Sequence, residues 1–176
     1  MLWSCGCKNA IESGRNTALD GADLVKMTND MVVRIAADPE VGTVLAGGPM
    51  KVVVQPVENR MTAEVLPRGP AEAFTARVRT LLARHRPNQF VWVMNRDAYH
   101  RLRAAELAGV EIGPSPDAVN PEYALTATFS SLTDEDPQRR SAYYLCVYEL
   151  TDLRDRSMLW TGSYEVKKVA VKGFLD

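Results

Sequence analysis

Between Asn120 and Lys168 three strand-forming runs follow one another with no helical segment between them, and this fixes one half of any fold the chain can adopt. The first run sets Tyr123, Leu125, Ala127 and Phe129 against Ala124, Thr126, Thr128 and Ser130, the period of two that marks a strand with one buried face. The second places Tyr144, Cys146, Tyr148 and Leu150 on one side, while Tyr143, Leu145 and Val147 leave the other side partly apolar. The third groups Met158, Trp160, Tyr164 and Val166 opposite Thr161, Ser163, Glu165 and Lys167. Three such runs in succession predict an antiparallel meander, which serves more often as a recognition surface than as a catalytic one.

Upstream the period changes. Asp20 is placed to cap a helix running to about Ala37, with Leu24, Met27, Met31, Val32 and Ile35 at helical spacing and Asp38-Pro39 as its stop. Core packing is the reading of that methionine stripe. The run KVVVQPV is a strand, Glu58 to Gly69 a polar loop, and Pro70 the first residue of a second helix whose stripe is Phe74, Val78, Leu81 and Leu82. QFVWVMN is another strand, and Asn95 caps a third helix that closes at Ala108-Gly109.

The expected fold is therefore a single α/β domain. One helix precedes a β-α-β-α-β core, and the meander completes a mixed five-stranded sheet. Numbered in chain order, the expected strands lie 2-1-3-4-5, since right-handed β-α-β crossovers make the first three parallel. Three helices are too few to cover both faces of five strands, so part of the last hairpin is expected to stay open.

The length of 176 residues suits one domain with a proper core. A net charge of −1 supplies no global basic field for nucleic acid or anionic lipid. No phosphate, dinucleotide, zinc-protease or serine-hydrolase motif occurs, so no cofactor, metal or catalytic residue is nominated, and a non-enzymatic protein is expected. Asp97 and His100 share a helix face and read as a solvated pair; His85 reads as exposed. Arg77, Arg79, Arg84 and Arg86 form a local basic patch near a helix C-terminus, where cations suit the dipole. Glu122 fits a cap before a strand better than a general acid. Cys146, on an apolar strand face, reads as a small core residue.

Residues 1–19 show no sustained periodicity and read as a flexible lead-in to a domain spanning 20–176. Within them, Leu2-Trp3-Ser4-Cys5 is similar to the end of a bacterial lipobox, with leucine at −3, a small residue at −1 and the acceptor cysteine next. Cys5 is thus the candidate lipidation site, with Cys7 the alternative. The roughly fifteen residues from Cys5 to Asp20 span at most about 50 Å at about 3.3 Å each.

From about Asp20 to Lys168 the chain resembles the LpoB family, outer-membrane lipoproteins that activate class A penicillin-binding proteins. The resemblance is carried by ADLVKMTNDM, KVVVQPVENR, FVWVMNRDAYHRLR and NPEYALTATFSSL. Tyr143-Tyr144, Leu150, Asp152, Leu153, Trp160 and Glu165-Val166-Lys167-Lys168 continue it. It implies a periplasmic regulator, anchored to the outer membrane through a lipidated cysteine, that binds a peptidoglycan synthase as a monomer and acts without a cofactor. The candidate docking residues are Tyr143, Leu145, Val147, Glu149, Thr161 and Glu165 on the less covered face of the last hairpin. The other arrangement open to them is cover by the first helix. An alternative function is a self-associating domain of the curli-pore type, in outer-membrane assembly or secretion.

Overall fold

The computed structural model describes residues 10–14, 17–61, 68–109, 119–135 and 138–171. Its elements, in chain order, are β1 (Ala10–Gly14), α1 (Gly21–Ala37), α2 (Pro39–Ala46), β2 (Met50–Val54), β3 (Glu58–Arg60) and α3 (Arg68–His85). These are followed by β4 (Phe90–Val93), α4 (Arg96–Glu106), β5 (Tyr123–Glu135), β6 (Arg139–Asp152) and β7 (Met158–Val171). The strands form one mixed sheet in the order β1-β7-β6-β5-β2-β4, with β3 pairing β5 beside β2. The five strands expected from sequence are β2, β4, β5, β6 and β7, and they lie in the expected order. β2 is parallel to both β4 and β5, while β5, β6 and β7 are antiparallel.

Four elements depart from the sequence reading. The lead-in contains β1, which pairs in parallel with Val166–Ala170 of β7, so the sheet begins upstream of the expected boundary at residue 20. Asp38 ends α1 and also starts α2: its Oδ1 accepts from the backbone N–H groups of Glu40 and Val41, and Pro39 takes the first helical position. The segment expected as a polar loop includes β3. Pro56 interrupts the strand, yet the 13-residue β5 is long enough to pair β2 through Tyr123–Leu125 and β3 through Thr128–Ser130. α3 also starts at Arg68, two residues before Pro70.

One face of the sheet carries the core. Met27, Met31 and Ile35 of α1, Val41 and Leu45 of α2, and Phe74, Val78 and Leu82 of α3 join one buried cluster with Leu125, Phe129, Cys146, Tyr148, Leu150 and Trp160. Burying each large apolar side chain contributes about 1.5–3 kcal/mol. Phe74 stacks on Tyr148 and meets Phe129 edge-on, each at 5.6 Å between centroids. The inward side chains of β5 and β6 are those the alternation predicted. In β7 the phase is broken once. Leu150 pairs with Trp160 but Thr151 with Met158, and the bulge turns Met158 out to solvent, away from the expected buried face. Gly162 is needed beneath Trp160, because a Cβ there would lie 2.7 Å from Cζ2 and Cη2 of the indole.

Two arginines of the expected basic patch join helices instead of facing a ligand. Arg77 donates to Thr28 Oγ1 and Asn29 Oδ1 on α1, each at 2.9 Å. Arg86 donates through Nε to the carbonyl of Ala36 at 3.1 Å, satisfying an acceptor that the end of α1 leaves unpaired.

The entry to α1 is fixed to the sheet by a buried ion pair. Asp20 and Asp23 form a reciprocal capping box, and the Asp23 carboxylate also takes Lys168 Nζ of β7 at 2.5 Å. Lys168 donates further to the carbonyl of Ala18 at 2.8 Å, and Tyr144 Oη donates to the carbonyl of Thr17 at 2.7 Å. Burial lowers the Lys168 pKa, but the hydrogen bond it donates to Asp23 and the charges of Asp23 and Asp20 outweigh it, and the net shift is upward. The Asp20 carboxyl is held below its usual range, first by the Asp23 backbone N–H. The contribution of Lys168 to stability is thus complete below its unfolded value of 10.5 and is lost as pH rises through the higher folded value. That of Asp20 is present above 3.8 and lost as pH falls through the lower folded value. Denaturant titrations across pH should show a plateau between these limits. Lys168→Met should cost about 3–5 kcal/mol on the plateau by stranding Asp23, and should weaken the alkaline decline. Asp20→Asn should remove only part of the acid decline, because Asp152 and Asp155 are also held low.

Candidate functional site

Alternation along β5, β6 and β7 sends every second side chain to the face opposite α1, α2 and α3. The ladder register places these outward residues in rows. Tyr143 lies between Leu132 and Lys167, Leu145 between Ser130 and Glu165, Val147 between Thr128 and Ser163, and Glu149 between Thr126 and Thr161. All six candidate docking residues therefore share one continuous surface. Thr161 and Glu165 are exposed, and Tyr143, Leu145, Val147 and Glu149 are half-buried. Cover by α1 is the arrangement that fails, since α1 packs with the inward set of Cys146, Tyr148 and Leu150. At the end of the surface Leu132 is 72% exposed.

The break at Pro56 adds a feature that the sequence reading missed. β3 and the exit of β2 form a wall beside the sheet, leaving a shallow cleft of about 610 Å³ lined in part by Gln55, Glu58, Arg60, Thr128, Val147 and Glu149. Arg60 is gripped by Glu58 through two bonds, Nε to Oε1 at 2.9 Å and Nη2 to Oε2 at 3.2 Å. Its guanidinium is pushed above the usual range, first by that hydrogen bond, with the charge of Glu149 a smaller contributor. Only the outward residues of β5 and β6 in this cleft were legible beforehand. The three residues of β3 are all exposed and carry no apolar alternation to betray a strand.

The remaining candidates are dispersed. Cys5 and Cys7 lie outside the described residues. Asp97 and His100 are both exposed, and His100 rests against Tyr99 at 5.6 Å between centroids. His85 is exposed in the last turn of α3. Glu122, just before β5, pairs with Lys51 of β2 at 2.8 Å. Cys146 is fully buried, and burial pushes its thiol far above the usual range, so it behaves as a core side chain. Asp152 closes the β6–β7 turn: its carboxylate accepts from Arg154, whose guanidinium lies 5.6 Å from the centroid of the Tyr123 ring. The Arg154 bond holds the Asp152 carboxyl low. Among the described residues no group of three or more His, Cys, Asp or Glu could hold a metal ion, and no helix is long and apolar enough to cross a membrane.

The architecture is that of a small α/β domain with α1, α2 and α3 packed on one face of a mixed sheet and, along β5–β7, a broad, amphipathic second face. A profile of the family described as peptidoglycan-synthase activator LpoB matches residues 23–166, from the first turn of α1 into β7. The chain belongs to the LpoB family, a family of regulators of peptidoglycan synthesis. Among solved structures it is similar to the LpoB C-terminal domain from Salmonella enterica, at 15% identity over 82% of this chain and 98% of that one, with a TM-score of 0.48. The LpoB C-terminal domain from Escherichia coli is similar at 15% identity, over 82% and 98% of the two chains, with a TM-score of 0.46. Lipoprotein GNA1162 from Neisseria meningitidis shows 16% identity over 68% and 83%, with a TM-score of 0.41. Comparison with curated proteins finds no match.

The two faces of β6 should respond differently to substitution. Leu145→Ala and Glu149→Lys should change the unfolding free energy by less than about 1 kcal/mol, as expected for sites outside the core. Tyr148→Ala, next to Val147 in sequence but on the opposite face beneath Phe74, should cost about 3–5 kcal/mol. Paired thermal and denaturant melts would check this, and a large loss at Leu145 would place it in the core.

Proposed function

We propose that this protein is a periplasmic lipoprotein that binds a class A penicillin-binding protein through the helix-free face of β5–β7 and activates its glycan synthesis. Membership of a synthase-activator family carries the reading, and the half-buried outward row from Tyr143 to Glu149 is the surface best suited to it. The domain works as a monomer and contributes no catalytic group. Docking favours an active conformation of the synthase, and the gain is bounded by the difference in affinity for the active and inactive states. Cys5, with Cys7 as the alternative acceptor, carries the lipid that anchors the chain to the outer membrane, and the segment before the domain is the tether.

The activity is tested by adding the purified protein to a purified class A synthase from the same organism and following the consumption of lipid-linked disaccharide precursor. Wild type should raise the rate to a saturating level. Leu145→Ala should need roughly tenfold more protein for the same half-maximal effect, the equivalent of about 1.4 kcal/mol of binding, with the plateau unchanged. A rate that ignores the added protein at all concentrations refutes activation. The anchor is tested separately by intact mass of the protein extracted from native membranes. A diacylglyceryl mass on a peptide beginning at Cys5 supports the assignment, and an unmodified Cys5 refutes it.

A further inference from the structure

The cleft beside β3 differs in chemistry from the rest of the outward face. Two carboxylates, Glu58 and Glu149, stand there with one guanidinium, Arg60, so the charged groups lining it sum to one negative charge. Glu58 takes both bonds from Arg60, while Glu149 interacts with that guanidinium only at longer range. The remaining polar lining offers acceptors in the hydroxyls of Thr126, Thr128 and Ser130, while Gln55 Oε1 already accepts from Asn95 Nδ2 at 3.0 Å. No aromatic ring lines the cleft among the described residues, so a sugar or base has no platform to stack on. The excess of negative charge disfavours a phosphate. Val147 closes the inner wall and is continuous along β6 with Leu145, so the polar cleft opens onto an apolar strip.

We infer that the cleft receives a cationic side chain, lysine or arginine, from a protein partner, carried on a segment whose neighbouring apolar residues lie along Val147 and Leu145. The inference rests on the reading of this face as the docking surface for the synthase and specifies the chemistry of what docks. Glu149 is the primary acceptor, since Glu58 stays engaged with Arg60, and the hydroxyl row accepts the remaining N–H groups. Leu145 and Val147 supply the apolar burial that a charge pair in an open cleft cannot. In this division the charge sets encounter rate and register, and the apolar strip sets most of the affinity.

The test is the equilibrium affinity of the full-length protein for a purified class A penicillin-binding protein, measured from roughly 0.05 to 0.5 M salt, a range over which the screening length shortens severalfold. The variants are Glu149→Gln, Glu149→Asp and Leu145→Ala, each first shown to melt like wild type. Glu149→Gln should bind about three- to tenfold more weakly at low salt, with a flatter salt dependence that converges on wild type at high salt. Glu149→Asp should retain most of the salt dependence. Leu145→Ala should bind more weakly at every salt concentration with the wild-type slope. If only Leu145→Ala weakens binding, the face docks the partner without a cation in the cleft, and the inference fails while the proposed function stands. Tighter binding by Glu149→Gln would mean an anionic partner group and also overturns it. If both substitutions bind like wild type, docking lies elsewhere on the domain. Absence of wild-type binding sinks the synthase reading itself and takes this inference with it.

Discussion

The structure depends on the buried contact between Lys168 and Asp23. The carboxylate is 1% exposed and the lysine side chain 7%, so neither could remain charged there without the other. Asp23 also accepts the backbone N–H of Asp20 at 2.8 Å, which makes the ion pair part of the helix cap. One carboxylate thus sets where α1 starts and where that start sits on β7. A hydrophobic pair of similar volume could fill the same space, but it would not select one register of helix against strand. With α1 fixed, Arg77 and Arg86 can meet their acceptors on it and bring α3 alongside, so the inward face is closed by a chain of polar joints over an apolar layer.

That closure explains why the other face stays open. α1, α2 and α3 supply the apolar stripes of the main buried cluster, whereas α4 buries no side chain and leaves Leu102 48% exposed. From Ser141 to Asp152, β6 therefore has a fully buried side and a half-buried side. The half-buried side would invite aggregation if it were uniformly apolar. It is divided instead by Thr126, Thr128, Ser130, Glu149, Ser163 and Glu165, so that Tyr143, Leu145 and Val147 form a narrow strip between polar rows.

The legibility of the fold followed the strength of its periodic signals. β5 and β6 could be phased residue by residue because their alternation runs unbroken, and β7 could be phased until the bulge before Trp160 displaced Met158. The strand order followed from crossover handedness. β1 and β3 are not legible in sequence because five residues of mixed polarity and three all-polar ones carry no period, and they are strands only because long neighbours offer edges to pair with. The missed α2 had a signal: Asp38-Pro39-Glu40 is a cap, a first-position proline and an acidic first turn, and Val41 and Leu45 are four apart. It was read as a stop because the same aspartate does both. The outward docking rows were visible in sequence, but the cleft was not, since it arises from the offset at Pro56 between two strands that share one partner.

The placement of charge on the two faces bears on how such a domain could regulate another protein. On the inward face the ions are spent on structure: Lys168, Arg77 and Arg86 each satisfy fixed acceptors, and removing Lys168 leaves the buried Asp23 carboxylate without its counter-charge. On the outward face Glu149 sits beside a guanidinium already held by Glu58, so its charge can be answered by an incoming group without breaking an existing pair. A half-buried carboxylate on the outward face of the sheet contributes little to folding and can be tuned without loss of the domain. Affinity for a partner can therefore vary at Glu149 and along the Leu145 strip while the ion pair beneath β7 keeps the scaffold constant. A regulator that must release its partner as well as bind it benefits from that separation, because moderate affinity is reached by adjusting the surface alone.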